Sequence, residues 1–209
     1  MILDKYWKIE KHLFPKNFFY RHSKLVAPDL IGCYLIKKNN LQDEIKGIIV
    51  ETEAYSQEEE ACHGYRKITE SNKPLFGEPG RFYIYKSYGI HHCLNIVTDK
   101  KNFASGVLIR AVYIDNKNER LASGPGLVTR TFGIDISFNS LEVLNNNSLW
   151  ISQRESTIKQ IDLIQTTRIG ISKAKNIKWR WYLKNSRSVS KRVKGDRTPK
   201  SNNHLSLKA

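Results

Sequence analysis

The sequence has no apolar run near the roughly 20 residues that a membrane-spanning helix needs. Its opening stretch, MILDKYWKIEKHLF, spreads charge among its apolar residues and offers no small-residue cleavage site. No signal peptide is read there, and a soluble, intracellular chain is expected, with no membrane partner. Cysteine is scarce, with only Cys33, Cys62 and Cys93. An odd number at wide spacing excludes a disulfide framework, and no C-x-x-C pair supplies a zinc knuckle. Cys62-His63 and His91-His92-Cys93 keep a zinc site open as an alternative, but structural thiols are the better account. Acids are few as well: 20 Asp and Glu stand against 35 Lys and Arg, a net charge of +15. A field that positive attracts polyanions, with nucleic acid ahead of an anionic membrane surface or a ribosomal partner. What remains is ordinary for a globular domain: 209 residues, 40% of them hydrophobic. A chain of that length buries enough surface to fold without a staple.

Short β-branched and aromatic runs dominate the middle of the chain. Residues 30–36, 45–55, 82–86, 90–98 and 106–114 read as strands, with shorter ones at 149–152 and 179–183. A helix is expected after the aromatic and basic region 4–22, capped by Ser23 or Asp29. Residues 116–121 and 125–132 read as helices, the second between Ser123-Gly124 and Gly133. Residues 37–43 form a polar turn, 56–78 a long polar loop, and 166–170 an extended or turning stretch. Ser87-Tyr88-Gly89 has the look of a hairpin tip, because Gly89 accepts positive φ. After Leu183 the chain is basic and poor in apolar residues, which reads as a flexible tail. The fold class expected is α+β: a single compact domain with a curved, mainly antiparallel sheet, surrounding helices and a protruding β-hairpin.

Several residues sit awkwardly for a bland core. Glu51, Glu53 and Tyr55 fall on one face of an apolar strand. Buried carboxylates are costly unless paired or functional. Arg110, inside Gly-Val-Leu-Ile-Arg-Ala-Val, needs a carboxylate, and Glu53 is the natural partner. A structural ion pair and an arginine that orients a catalytic carboxylate are both open here. Tyr83 and Tyr85 share a strand face, and Tyr88 at the hairpin tip cannot bury itself in its own core. Such rings sandwich or wedge nucleic-acid bases, although tyrosine is also common in plain strands. Asn95 lies in an apolar strand and either ties down a loop or reads a base edge.

Ile49-Val-Glu-Thr-Glu-Ala-Tyr55, Ala61-Cys-His63, Pro79-Gly-Arg-Phe-Tyr-Ile-Tyr-Lys-Ser-Tyr-Gly-Ile-His-His-Cys-Leu-Asn-Ile96, Gly106-Val-Leu-Ile-Arg-Ala111, Ser123-Gly-Pro-Gly126 and Thr167-Arg-Ile-Gly170 follow one another in order. Together they closely resemble the alkyladenine DNA glycosylases, also called 3-methyladenine or methylpurine DNA glycosylases, from about residue 25 to about residue 183. The resemblance implies a monofunctional base-excision-repair enzyme with no metal and no organic cofactor. Acting as a monomer on double-stranded DNA, it would flip out alkylated or deaminated purines and hydrolyse the N-glycosidic bond. In a bacterial source it would work in the cytoplasm, on the nucleoid. By the resemblance Glu53 matches the general base, with Arg110 and the backbone at Ile169 holding the attacking water. Tyr55 matches a stacking residue, with His63 and Tyr85 facing it. Asn95 matches the position that crowds out normal guanine, and Tyr88 the wedge that fills the vacated stack. The glycosylase domain is thus expected over residues 1–183, and a basic tail over 184–209. The stretches 172–178 and 183–190 depart from the family pattern. Lys86, close to Tyr85 and Tyr88, leaves a Schiff-base lyase open, and a non-catalytic nucleic-acid-binding module is the reading from another class.

Overall fold

The computed structural model describes residues 14–15, 17–38, 43–144, 146–154, 162–184 and 186–196. The aromatic and basic region 4–22 thus lies partly outside the described residues, as do most of the polar turn at 39–42 and the tail from 197 onward.

One curled antiparallel sheet carries the molecule. Its strands are β1 (Tyr34–Lys38), β2 (Glu44–Ser56), β3 (Phe82–Ser87), β4 (His91–Val97), β5 (Ser105–Tyr113), β6 (Leu149–Ser152), β7 (Leu163–Thr166) and β8 (Arg180–Leu183). The order is β3-β4-β5-β2-β1-β6, with β8 joined to β2 and β7 to β8. β2 is the axis of the sheet. Residues Glu44–Ile48 pair with β1, Ile48–Ser56 with β5 and Glu51–Glu53 with β8. The β2–β5 register shifts on either side of Glu51, and such irregularities bend a strand and strengthen its twist.

The apolar content of β2, β4 and β5 explains why they are central. All nine residues of β5 are buried, so the sheet is covered there and alternation of polar residues is lost. Helix α1 (Ser23–Asp29) covers β2: Thr52 Oγ1 donates to Ala27 O at 2.8 Å, and Ser23 Oγ donates to Tyr55 O at 2.9 Å. Helix α2 (Pro125–Phe132) lies on β4, where Thr129 Oγ1 donates to His92 O at 2.9 Å. That approach needs a glycine. A Cβ on Gly126 would come within 2.9 Å of the His91 side chain.

The α+β expectation holds, and four local readings change. The first strand begins at Tyr34, because residues 30–33 turn out of α1. His22, not Ser23 or Asp29, caps α1: its Nδ1 accepts from Lys24 N at 3.0 Å. Residues 116–121 form turns rather than a helix, with Asn116 at φ 56°. The fourth change concerns the residues beyond Leu183, read as tail. Ser186–Asp196 packs on the domain, with Ser186, Ser188 and Val189 buried. Tyr182 Oη donates to Asp196 Oδ2 at 2.6 Å, and Arg192 pairs with the same carboxylate at 2.9 Å. Polar bonds rather than apolar burial hold this segment, which is why hydropathy gave no sign of it. Among the described residues no helix is long and apolar enough to cross a membrane.

Candidate active site

Glu53 sits mid-strand in β2 and is fully buried. Among the described residues three hydrogen bonds reach its carboxylate, and in each Glu53 is the acceptor. Ile169 N donates to Oε1 at 2.8 Å, while Tyr55 Oη and Arg110 Nη1 donate to Oε2 at 2.7 and 3.2 Å. Three donors to one carboxylate offset a desolvation cost that would otherwise be several kcal/mol. Burial alone would lower the Arg110 pKa, but Glu53 and Glu51 opposite it outweigh that and hold the guanidinium more firmly charged. The Tyr55 phenol is driven well above its usual range, first by burial and then by the adjacent Glu53 carboxylate, so it stays a donor.

This carboxylate lies behind a cavity of about 510 Å³. Tyr55, His63, Tyr85, Asn95, Arg110 and Ile169 all line it. His63 and Tyr85 meet edge to face at 4.3 Å between ring centroids, and Tyr83 lies 5.5 Å from Tyr85. The His63 Nδ1 is 3.0 Å from Tyr83 Oη, and partial desolvation of the ring at the cavity wall lowers the His63 pKa, which favours the neutral form. Burial likewise raises the Tyr85 phenol above its usual range. Asn95 is clasped from within the sheet: Nδ2 donates to Tyr83 O and Cys93 O at 3.2 and 3.3 Å.

Tyr88 stands at the cavity mouth on the β3–β4 hairpin, 89% exposed. Tyr88 and Gly89 have φ of 50° and 69°, and Ile90 N donates to Ser87 O at 3.0 Å. Ser87 pairs with His91, so the loop is three residues long, and its first two are left-handed inside the Ser87–Ile90 turn. A non-glycine residue held left-handed and exposed costs energy, of order 1–3 kcal/mol, and such outliers cluster at functional sites.

The fold therefore brings together the eight residues to which the resemblance gives a role: Glu53, Arg110, Tyr55, His63, Tyr85, Asn95, Ile169 and, at the rim, Tyr88. Sequence reasoning assigned no role to Arg168 and Glu59. Their side chains form a buried bidentate pair at 2.6 and 2.8 Å, and Arg168 also donates to Ala54 O at 2.9 Å. The guanidinium lies 4.6 Å from the Tyr55 ring centroid and 5.6 Å from that of Trp179. It thereby backs Tyr55 and ties the loop before His63 to the turn bearing Ile169. The only hint was an arginine within Thr167-Arg-Ile-Gly170, whose partner lies 109 residues away. Among the described residues no three His, Cys, Asp or Glu side chains gather as a metal-binding group. Lys86 lines the cavity.

Residues 17–187 match the methylpurine-DNA glycosylase family model. A protein of Trichodesmium erythraeum, provisionally named 3-methyladenine DNA glycosylase, is 42% identical over 188 residues, covering 82% of this chain and 94% of its own. One of Carboxydothermus hydrogenoformans with the same provisional name is 42% identical over 192 residues, covering 86% of this chain and 100% of its own. A third, from Methanoculleus marisnigri, is 37% identical over 192 residues, covering 85% and 98%. The match takes in β2, the hairpin, β5 and the 167–170 turn, the elements that build the site, and the chain belongs to the methylpurine-DNA glycosylase family.

Proposed function

We propose that this protein is a monofunctional DNA glycosylase that flips alkylated or deaminated purines out of duplex DNA and hydrolyses their N-glycosidic bonds. The observation that carries this reading is the buried Glu53 carboxylate, held by three donors beside an aromatic cavity with an exposed tyrosine wedge at its mouth. A base inside a duplex is out of reach of a buried carboxylate, so it must leave the stack, at a cost of a few kcal/mol. Tyr88 offsets that cost by filling the gap. Tyr55, His63 and Tyr85 then stack on the base, at about 1–3 kcal/mol per stacked base. Asn95, with its amide plane fixed by two carbonyls, crowds the exocyclic amine of normal guanine.

Departure of the base leaves an oxocarbenium-like sugar. Glu53 stabilises that cation and takes a proton from the water that attacks C1′. The geometry favours one oxygen for that proton. Oε2 already takes two donors, whereas Oε1 takes one, from Ile169, and a carboxylate oxygen has two acceptor sites. Water docked on Oε1 would sit beside the Ile169 backbone. Arg110 keeps the carboxylate aimed. The products are free base and an abasic strand, from a monomer acting without a cofactor and, in a bacterial source, in the cytoplasm.

The test is single-turnover base release from duplexes carrying one hypoxanthine, ethenoadenine or 3-methyladenine, with Glu53→Gln as control. Free base released by the wild type, an intact abasic strand, and loss of release in the variant support the reading. Tight DNA binding with no release from any lesion would move the protein to the binding modules. Borohydride trapping of a protein–DNA adduct through Lys86 would replace hydrolysis by a lyase mechanism.

A further inference from the structure

Glu53 is one end of a buried chain of alternating charge. Arg110 places Nη1 3.2 Å from Glu53 and Nε 3.5 Å from Glu51 Oε1, where Nε makes no hydrogen bond. Glu51, fully buried, accepts from Arg180 Nη1 at 2.7 Å and from Ser190 N at 2.7 Å. Arg180 in turn donates to Lys191 O and, through Nε, to Thr167 O, each at 2.7 Å. The segment 186–196 therefore closes on Glu51, and Arg180 reaches the turn that carries Ile169. The carboxylate is approached from two sides by one network.

We propose that Glu51 and Arg180, locked by the C-terminal segment, are positioning residues that set the charge felt by Glu53 and the placing of its two neighbours, Arg110 and Ile169. The inference rests on Glu53 being the base. A closure that only fastened the C-terminal segment would need Arg180 and Ser190 on Glu51, and would not need Arg110 shared between two carboxylates. Sharing has a signed consequence. Glu51 repels negative charge on Glu53 and draws on the same guanidinium, while Arg180 neutralises Glu51. Removing Glu51 takes a repelling charge from beside Glu53, and removing Arg180 leaves that repulsion uncompensated. The titratable groups that also face Glu53 are Tyr55, Tyr85 and Cys93, and neither substitution adds or removes a charge on them.

The experiment follows single-turnover base release from a hypoxanthine duplex against pH. Glu51→Gln should move the acid limb down, and Arg180→Gln should move it up, each by about one to two pH units, as a unit charge roughly 6–12 Å away does at an effective dielectric of about 20. The double variant, which leaves no orphaned buried charge, should return the limb close to wild type. It should also release base about tenfold more slowly, through displaced neighbours, with unchanged affinity for duplex holding an abasic analogue. Limbs that stay put, or move the same way in both single variants, would overturn the proposal. Where a single variant does not fold, the double decides: slow release at unchanged affinity supports the proposal, and wild-type release sinks it. A wild type that releases no base would instead overturn the glycosylase reading itself.

Discussion

Tyr55 and Glu53, two residues apart on β2, are joined by a 2.7 Å hydrogen bond in which the phenol donates to Oε2. The ring proposed to stack on the base is thus also a ligand of the proposed base catalyst. Tyr55→Phe keeps the ring and removes the donor. Base release should fall about ten- to a hundredfold, the range of a hydrogen bond to a charged group. Lesion-DNA affinity should change less than about twofold. Single-turnover rates and equilibrium binding separate the two, and an equal loss in both would give the hydroxyl a binding role instead.

Arg168 and Glu59 make a pair that neither can leave cheaply. Arg168→Met strands the Glu59 carboxylate in the interior and takes away the cation behind Tyr55. Loss of one partner of such a pair costs about 3–5 kcal/mol. Denaturant unfolding of Arg168→Met should show that loss, and a midpoint equal to wild type would mean that water reaches Glu59.

His63 makes stability depend on pH. Its folded pKa lies below the ordinary value of 6.5 because the cavity wall takes part of the ring out of water, although the residue as a whole is exposed. A lowered value favours the neutral ring, so its contribution is present above pH 6.5 and is lost as pH falls through the folded value. Thermal midpoints of the wild type should decline on acidification from that point, and those of His63→Gln should decline less. Parallel declines would place the acid sensitivity elsewhere.

Tyr88 takes no part in the core, so Tyr88→Ala should leave the thermal midpoint almost unchanged. Release from duplex DNA should drop far more than hydrolysis of an alkylated nucleotide analogue, since only the duplex needs a wedge. Equal activity on duplex would remove that role.

Two truncations distinguish charge from fold at the C-terminus. Residues 197–209 hold Arg197, Lys200 and Lys208. Ending the chain at Asp196 should keep the fold and, where these cations touch phosphates, flatten the salt dependence of DNA binding by about 0.9 per lost contact. Ending it at Lys184 removes Ser190 from Glu51 and Asp196 from Tyr182, and should cost folding stability outright. A stable, fully active chain ending at Lys184 would contradict the packing seen for 186–196.

Much of this was legible in the sequence because the strands announce themselves. β2, β3, β4 and β5 are short β-branched and aromatic runs, and the pairing of Arg110 with Glu53 follows from one cation in one apolar strand. The hairpin was legible from Gly89, which permits the left-handed turn. Ser186–Asp196 escaped because it is fastened by hydrogen bonds to Glu51, Arg180 and Tyr182, and such bonds leave no periodic pattern. Arg168 escaped because its partner is remote in sequence. The 116–121 turns escaped because helix propensity is a weak prior that tertiary packing overrides.

All three cysteines are free and buried. Burial pushes the thiols of Cys33 and Cys62 up to about 11, and raises that of Cys93 at the cavity wall as well. At neutral pH only about one Cys33 or Cys62 in ten thousand would then be thiolate, the form that attacks electrophiles. Reagents that methylate purines also seek sulfur nucleophiles. A protein that keeps its thiols protonated and enclosed can go on working in the chemical conditions that create its substrates.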